Sequence, residues 1–85
     1  MIVFYILLCR NGRYYIGSTN DLDRRIEQHK SGYVKSTKYV LPIELIAMIP
    51  CQTLTEARIL ERKIKKGKSR IVVEKYIEQY YVING

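Results

Sequence analysis

The chain has 85 residues, and its 15 Lys and Arg against eight Asp and Glu give a formal net charge of +7. That length leaves room for one core, so we expect a single domain over residues 1–85. No window approaches the roughly 18 apolar residues that a membrane helix needs, which excludes a membrane-spanning protein. The excess positive charge predicts a polyanionic partner, with an inert basic surface as the alternative.

The first predicted elements are two antiparallel strands. Residues 3–8 form a continuous apolar run, typical of a strand buried on both faces. The run lacks the basic start of a signal peptide, so we interpret it as a strand. Asn11-Gly12 is a hairpin signal that leads to a second strand at residues 14–17.

The turn between these strands decides where two tyrosines point. A strict two-residue turn would pair Tyr5 with Ser18 and place Tyr5 and Tyr15 on opposite faces of the sheet. A three-residue loop over residues 10–12, with a bulge at Gly12, would shift the register by one and put both phenols on one face. We predict this bulge.

A helix and a third strand follow. Asn20-Asp21 offers an N-cap for a helix that should run to about Lys30. A polar, basic loop over residues 35–38 comes next. Residues 43–49, between Pro42 and Pro50, read as a third strand with prolines at its ends.

Two further helices complete the chain. Thr53-Leu54-Thr55-Glu56 is a capping box for a helix that ends at Gly67, and Ser69 can cap another. The predicted apolar positions are Leu54, Ala57, Leu60 and Ile64 on the first of these helices and Val73, Tyr76, Ile77 and Tyr80 on the second. The order ββαβαα predicts an α+β fold with a three-stranded mixed or antiparallel sheet covered by helices.

The two cysteines bear on the compartment. Cys9 and Cys51 lie far apart in sequence, with no CxxC or histidine pairing, so neither a zinc site nor a disulfide framework is indicated. We expect both to be core thiols in a reducing environment. With no signal peptide, this predicts a cytoplasmic protein.

One carboxylate does not fit a purely structural pattern. At 100° per residue, Glu61 falls inside the apolar stripe of its helix, and burying it without a partner would be costly. It therefore either has a cation beside it or lies where the stripe opens onto a cleft. The structural alternative is an ion pair with Arg58 or Lys65 on the same helix.

A second pair of polar residues lies on the first helix. Arg25 and His29 are four residues apart and share a face beside the apolar residues Leu22 and Ile26. A guanidinium next to an imidazole suggests a phosphate contact with a proton carrier beside it. A structural histidine remains the alternative.

Together these segments resemble the GIY-YIG nuclease family, most closely its small stand-alone members, over residues of about 2 to 70. The matching segments are Phe4-Tyr5-Ile6, Tyr15-Ile16-Gly17, Asp21-Leu22 followed by Arg25 and His29, and Glu61-Arg62-Lys63-Ile64-Lys65-Lys66. The first motif reads Phe-Tyr-Ile and not Gly-Ile-Tyr, so only its tyrosine matches. Asn84 is the candidate for the family's late polar residue.

The resemblance implies roles for individual residues. Glu61 would be the ligand of one divalent metal, Mg²⁺ or alternatively Mn²⁺. Arg25 would hold the scissile phosphate. Tyr5 would be the general base or water-orienting phenol, with Tyr15 beside it, and His29 takes a position where the family has His or Tyr.

The resemblance also implies a nucleic-acid surface. Gly17 would let the substrate backbone approach closely. The other residues expected to bind substrate are Ser18, Lys30, Lys35, Lys38, Lys65 and Lys66, within a basic set that also includes Arg58, Arg62, Lys63, Lys68 and Arg70. The expected partner is DNA, and no feature of the sequence selects DNA over RNA or duplex over branched substrate.

These observations predict an endonuclease that hydrolyses phosphodiester bonds in DNA, with structured or branched DNA of repair or recombination as a candidate substrate. One rival is a non-catalytic nucleic-acid-binding module with the same fold, working with a partner protein that supplies cleavage or specificity. Another is an interaction domain that dimerises through Tyr76, Tyr80 and Tyr81.

Overall fold

The computed structural model describes residues 2–67 and 70–81. The elements are, in chain order, β1 (Ile2–Cys9), β2 (Tyr14–Thr19), α1 (Leu22–Lys30), α2 (Lys35–Lys38), β3 (Ile43–Cys51), α3 (Leu54–Gly67) and α4 (Arg70–Tyr80). The predicted α+β class and the order ββαβαα are confirmed. The difference is α2, because the segment that we predicted as a loop forms one helical turn.

The three strands form an antiparallel sheet in the order β2-β1-β3. The central strand is β1, and its residues 3–7 are at most 1% exposed, as the continuous apolar run predicted. The third strand is longer than predicted, since it passes through Pro50 and ends at Cys51. Proline is tolerated there because β3 is an edge strand and Pro50 is exposed.

The β1–β2 turn has the predicted three-residue loop. Cys9 donates its N–H to the carbonyl of Arg13 at 2.9 Å and accepts a bond from the N–H of Gly12 at 2.9 Å. Gly12 has a φ of 82°, the left-handed conformation that a bulge of this kind requires. A residue with a Cβ would be strained at this position.

This loop sets the register of the two strands. Tyr5 lies opposite Gly17, and Tyr15 lies opposite Leu7. Side chains alternate between faces along a strand, so Tyr5 and Tyr15 are on the same face of the sheet. The predicted shift is confirmed.

The sheet separates two apolar clusters. On one face Phe4 and Ile6 pack with Ile64 of α3 and Val73 of α4. On the other face Tyr5 and Leu7 form a second cluster, against which Tyr15 and the α1 residues Leu22 and Ile26 pack. Both faces of β1 are therefore covered by helices.

The helix ends follow local signals. The Asp21 side chain caps α1 by accepting a bond from the N–H of Arg24 at 3.3 Å. At the start of α3 the Thr53 hydroxyl accepts from the N–H of Glu56 at 3.1 Å, as the capping box predicted. Ser69, the predicted cap of α4, lies outside the described residues.

No helix in the described part of the chain is long and apolar enough to cross a membrane. Of the three tyrosines named for the alternative dimer interface, Tyr76 is half-buried against the cluster formed with Phe4 and Ile64, whereas Tyr80 and Tyr81 are exposed. The cysteines are free, with Cys9 buried and Cys51 half-buried.

The apolar stripe of α3 can be tested with two isoleucines of the same helix. Ile64 is 2% exposed and Ile59 is 62% exposed. We expect Ile64→Ala to lower the free energy of unfolding by about 2–5 kcal/mol, because it leaves a cavity under the sheet. Ile59→Ala should change it by less than about 0.5 kcal/mol. Urea denaturation of both variants measures the difference, and equal effects would contradict the packing described.

Candidate functional site

The phenol of Tyr5 is the meeting point of two α1 side chains. The Arg25 Nε donates a hydrogen bond to the Tyr5 hydroxyl at 3.3 Å, and the His29 Nε2 lies 3.0 Å from the same oxygen. Arg25 and His29 are one helical turn apart, so both can reach one partner from the same face. Tyr5 is 1% exposed and His29 is fully buried.

Thr37 holds the second ring nitrogen of His29. Its hydroxyl lies 2.8 Å from His29 Nδ1 and 3.5 Å from the carbonyl of Val34. On the other side of the ring, the Tyr5 hydroxyl accepts from Arg25 and therefore has its own proton free for His29 Nε2. Thr37 was not predicted as a site residue, since its position depends on α2 folding against α1.

Electrostatics keep this chain of hydrogen bonds neutral beyond Arg25. Burial and the positive charge of Arg25 lower the pKa of His29 from 6.5 to about 4. Burial raises the pKa of the Tyr5 phenol, against the opposing effect of the hydrogen bond from Arg25. At neutral pH a protonated phenol therefore faces a neutral imidazole.

Gly17 makes room for the Tyr5 ring. A Cβ atom on Gly17 would lie 2.6 Å from the Tyr5 hydroxyl oxygen, inside any tolerated contact. Tyr15 completes the aromatic cluster, with its ring centroid 6.4 Å from that of Tyr5 and 4.9 Å from that of His29. The three predicted aromatic residues and Arg25 are thus brought together on one face of the sheet.

A cleft of about 650 Å³ lies in front of Arg25. Its lining residues are Ser18, Thr19, Asn20, Asp21, Arg24, Arg25, Gln28, Leu54 and Arg58. The wall includes three arginines and one aspartate, so it attracts anions. Tyr5, Tyr15 and His29 do not line it and lie behind Arg25, which links them to the cleft. Arg24 and Gln28 were not predicted, because nothing in the α1 sequence distinguishes them from surface residues.

Glu61 lies beside this cleft. Its Oε2 accepts a hydrogen bond from the Ser18 hydroxyl at 3.2 Å, and its Oε1 is 2.8 Å from the Lys65 Nζ. The same-helix ion pair that we gave as the structural alternative is therefore present. The Glu61 side chain is 22% exposed and lines a groove with Arg58, Arg62, Lys65 and Lys66. Arg58 lines both spaces and joins them.

Of the described residues that line its groove, Glu61 is the one carboxylate and the others are basic, so a metal held there would keep most of its water ligands. Among residues 2–67 and 70–81 there is no cluster of three or more His, Cys, Asp or Glu that could enclose a metal. Mg²⁺ needs only one or two protein carboxylates, because it retains several water ligands. Glu61 is half-buried and already holds a cation, the Lys65 ammonium, on one oxygen.

The predicted substrate-binding lysines divide into two groups. Lys65 and Lys66 line the groove of Glu61. Lys30, Lys35 and Lys38 do not line the cleft or that groove; Lys30 lines two smaller spaces near β3, and the other two lie on α2. Lys68 and Asn84 lie outside the described residues.

The comparisons with known proteins agree on one family. The GIY-YIG catalytic domain family matches residues 1–79. The chain is 39% identical to the UPF0213 protein YazA of Bacillus subtilis, over 89% of this chain and 77% of that protein. It is 40% identical to the UPF0213 protein XAC3202 of Xanthomonas axonopodis, where the match covers 73% of this chain and 62% of the relative.

A solved structure supports the fold. The solution NMR structure of the UPF0213 protein BH0048 from Bacillus halodurans matches with a TM-score of 0.58 and 36% identity. The match covers 93% of this chain and 85% of that one. The arrangement of sheet and helices described above is therefore shared with an experimentally determined relative.

The close packing of Tyr5 on Gly17 can be tested by adding one methyl group. Gly17→Ala should displace the phenol and expose the imidazole, which weakens the desolvation that lowers the pKa of His29. It should also lower the free energy of unfolding by about 1–3 kcal/mol. Gly12→Ala is the matched control, because its cost comes from backbone strain and nothing lies within 4 Å of the new Cβ. NMR titration of His29, the one histidine of the chain, should show a shift only in Gly17→Ala.

The buried neutral histidine predicts a pH dependence of stability. The folded pKa of about 4 is below the unfolded value of 6.5, so the stabilisation is complete above pH 6.5 and is lost as the pH falls toward 4. The loss should reach roughly 3 kcal/mol. Urea unfolding between pH 7 and 4, compared with His29→Gln, isolates this effect from that of the carboxylates. Parallel curves for the two proteins would contradict it.

Proposed function

This chain belongs to the GIY-YIG family, and on that premise we propose that it is a metal-dependent endonuclease that hydrolyses phosphodiester bonds in DNA. The observation that carries the proposal is the Tyr5 phenol, bonded to both Arg25 and His29 directly behind an arginine-lined cleft. These buried hydrogen bonds reach the cationic cleft through Arg25, and such an arrangement is suited to act on an anion bound there.

Arg25 is the proposed phosphate contact. It is half-buried, lines the cleft and is held by Tyr5 on one side and by the Gln28 carboxamide oxygen at 3.1 Å on the other. A guanidinium held in this way loses little freedom when it binds a phosphate and can stabilise the charge that develops on it. Arg24 and Arg58 would hold the neighbouring phosphates of the strand.

Glu61 is the proposed ligand of Mg²⁺ or Mn²⁺. Ser18 orients the carboxylate through Oε2, and the Lys65 ammonium would leave Oε1 when the metal binds. The metal would supply Lewis-acid stabilisation of the phosphate and a lowered pKa for bound water. Ser18 also lines the cleft in front of Arg25, so the residue that binds the Glu61 carboxylate is part of the cleft wall.

The aromatic cluster would orient the attacking water. Tyr15 is half-buried and therefore closer to solvent than Tyr5. As the water oxygen attacks phosphorus and the bond from phosphorus to the 3′ oxygen breaks, the phenols would orient the water, and its proton would pass to solvent. The leaving 3′ oxygen would take a proton from solvent, giving a 3′-hydroxyl and a 5′-phosphate. His29, neutral at pH 7 because its pKa is about 4, would hold the Tyr5 phenol in place through their hydrogen bond.

The decisive experiment is cleavage of labelled duplex, single-stranded, flap and Holliday-junction DNA, with Mg²⁺ or EDTA, at low salt. Glu61→Gln should abolish metal-dependent cleavage, a loss of at least about 100-fold by analogy with removal of one charge-stabilising group. Glu44→Gln is the matched control, since Glu44 is an exposed carboxylate of β3 that lines a different space.

Direct metal binding separates the role of Glu61 from folding. Mn²⁺ titration followed by electron paramagnetic resonance should detect a site in the parent and in Glu44→Gln but not in Glu61→Gln. DNA binding without cleavage by the parent, with any of these substrates and metals, would favour a non-catalytic binding module that depends on a partner protein. Cleavage that persists in Glu61→Gln would remove Glu61 from the mechanism.

A further inference from the structure

The short helix α2 has one face in the site and one face in solvent. Thr37 is fully buried and bonded to His29, and Val34, at the start of the helix, is 9% exposed. Lys35 and Lys38 on the same turn are exposed. An α-helix with its side chains is about 10–12 Å thick, so the outer surface of α2 is within one helix diameter of His29.

Two tyrosines flank this outer surface with their rings in solvent. Tyr33 is 77% exposed and Tyr39 is 80% exposed, the highest values among the large apolar and aromatic side chains of the described residues. Their hydroxyls and rings take no part in the cluster formed by Tyr5 and Tyr15. Packing does not explain them, because so little of either ring is covered.

The segment that carries these rings has charges of one sign. Between Glu27 and Glu44 the sequence contains no Asp or Glu, and it carries Lys30, Lys35 and Lys38. The Lys38 Nζ lies 5.6 Å from the centroid of the Tyr39 ring. Exposed aromatic faces interleaved with lysines fit a ligand that has both flat rings and negative charge, and they do not fit an acidic protein surface that lacks rings.

The backbone that carries the tyrosines is held in place. The N–H of Tyr33 donates to the carbonyl of Gln28 at 3.0 Å, and the N–H of Arg10 donates to the carbonyl of Val40 at 2.9 Å. Segment 33–40 is therefore fastened at both ends, to α1 and to the β1–β2 loop. The rings are presented on a preformed surface, which lowers the entropic cost of binding.

We propose that the outer surface of α2, formed by Tyr33, Lys35, Lys38 and Tyr39, binds an unpaired nucleotide of the substrate by stacking a base on a tyrosine ring and pairing its phosphate with a lysine. This inference rests on the proposed nuclease function and gives it a substrate class. Paired bases are already stacked inside a duplex and offer no free face to the tyrosines. The enzyme therefore acts on DNA with a single-stranded segment next to the cut.

The test measures binding in EDTA, so that cleavage does not interfere. A single-stranded oligonucleotide containing 2-aminopurine and a blunt duplex of the same length are titrated with the parent chain, Tyr33→Ala/Tyr39→Ala and Tyr33→Phe/Tyr39→Phe. The alanine pair should weaken single-strand binding by about 5- to 150-fold, the range for loss of one stacked base. The phenylalanine pair should bind like the parent, because stacking needs the ring and not the hydroxyl.

Tyr81→Ala is the matched control, since it removes an exposed tyrosine that follows α4 and does not belong to the α2 segment. It should leave single-strand binding within about twofold. Thermal unfolding should be unchanged in every variant, because the rings are exposed. Blunt-duplex binding should also be unchanged in the alanine pair.

Each other outcome overturns the stacking site. Equal losses on single strand and duplex would make the surface a general electrostatic contact, and a loss in the phenylalanine pair would assign the effect to the hydroxyls. If the parent binds and cleaves DNA while the alanine pair behaves like it, the stacking site is wrong and the proposed function stands. If the parent binds neither DNA, both are wrong.

Discussion

The site depends on the register between β1 and β2, which places Tyr5 opposite a residue that has no side chain. The phenol packs over Gly17 at a distance that leaves no room for a Cβ atom. In this position its hydroxyl bonds to Arg25 and His29. A shift of one residue would send Tyr5 and Tyr15 to opposite faces of the sheet. The left-handed Gly12 in the loop thus fixes the chemistry of the fourth residue pair from the loop.

Buried polar groups need partners, and this requirement orders the interior of the site. His29 is fully buried and has two ring nitrogens to satisfy. Thr37 bonds one and Tyr5 bonds the other, so the orientation of the imidazole is fixed, while burial keeps the ring neutral. The charge of Arg25 opposes protonation of His29. Among the hydrogen-bonded residues Thr37, His29, Tyr5 and Arg25, the positive charge therefore stays on Arg25 at the cleft, where an anion can reach it.

The distribution of positive charge gives the molecule more than one anionic contact. Arginines line the cleft in front of the buried chain, and lysines of α3 surround Glu61. A third group lies on α2, separate from both and combined with exposed tyrosines. The net charge of +7 alone would fit any polyanion. The division of this charge between an arginine-lined cleft and an aromatic surface is what restricts the proposed substrate class.

The sequence by itself determined the order of elements, the caps of α1 and α3, and the register at Gly12, because apolar periodicity, capping residues and turn chemistry are local. The grouping of Tyr5, Tyr15, Arg25 and His29 came from the same local geometry joined to a family resemblance. Only the tertiary structure decided that α2 forms, that Thr37 reaches His29, and that Tyr5 lies behind Arg25 and not on the cleft wall. Those features depend on how α1, α2 and the sheet pack, and such contacts between distant segments leave no periodic signal in the chain.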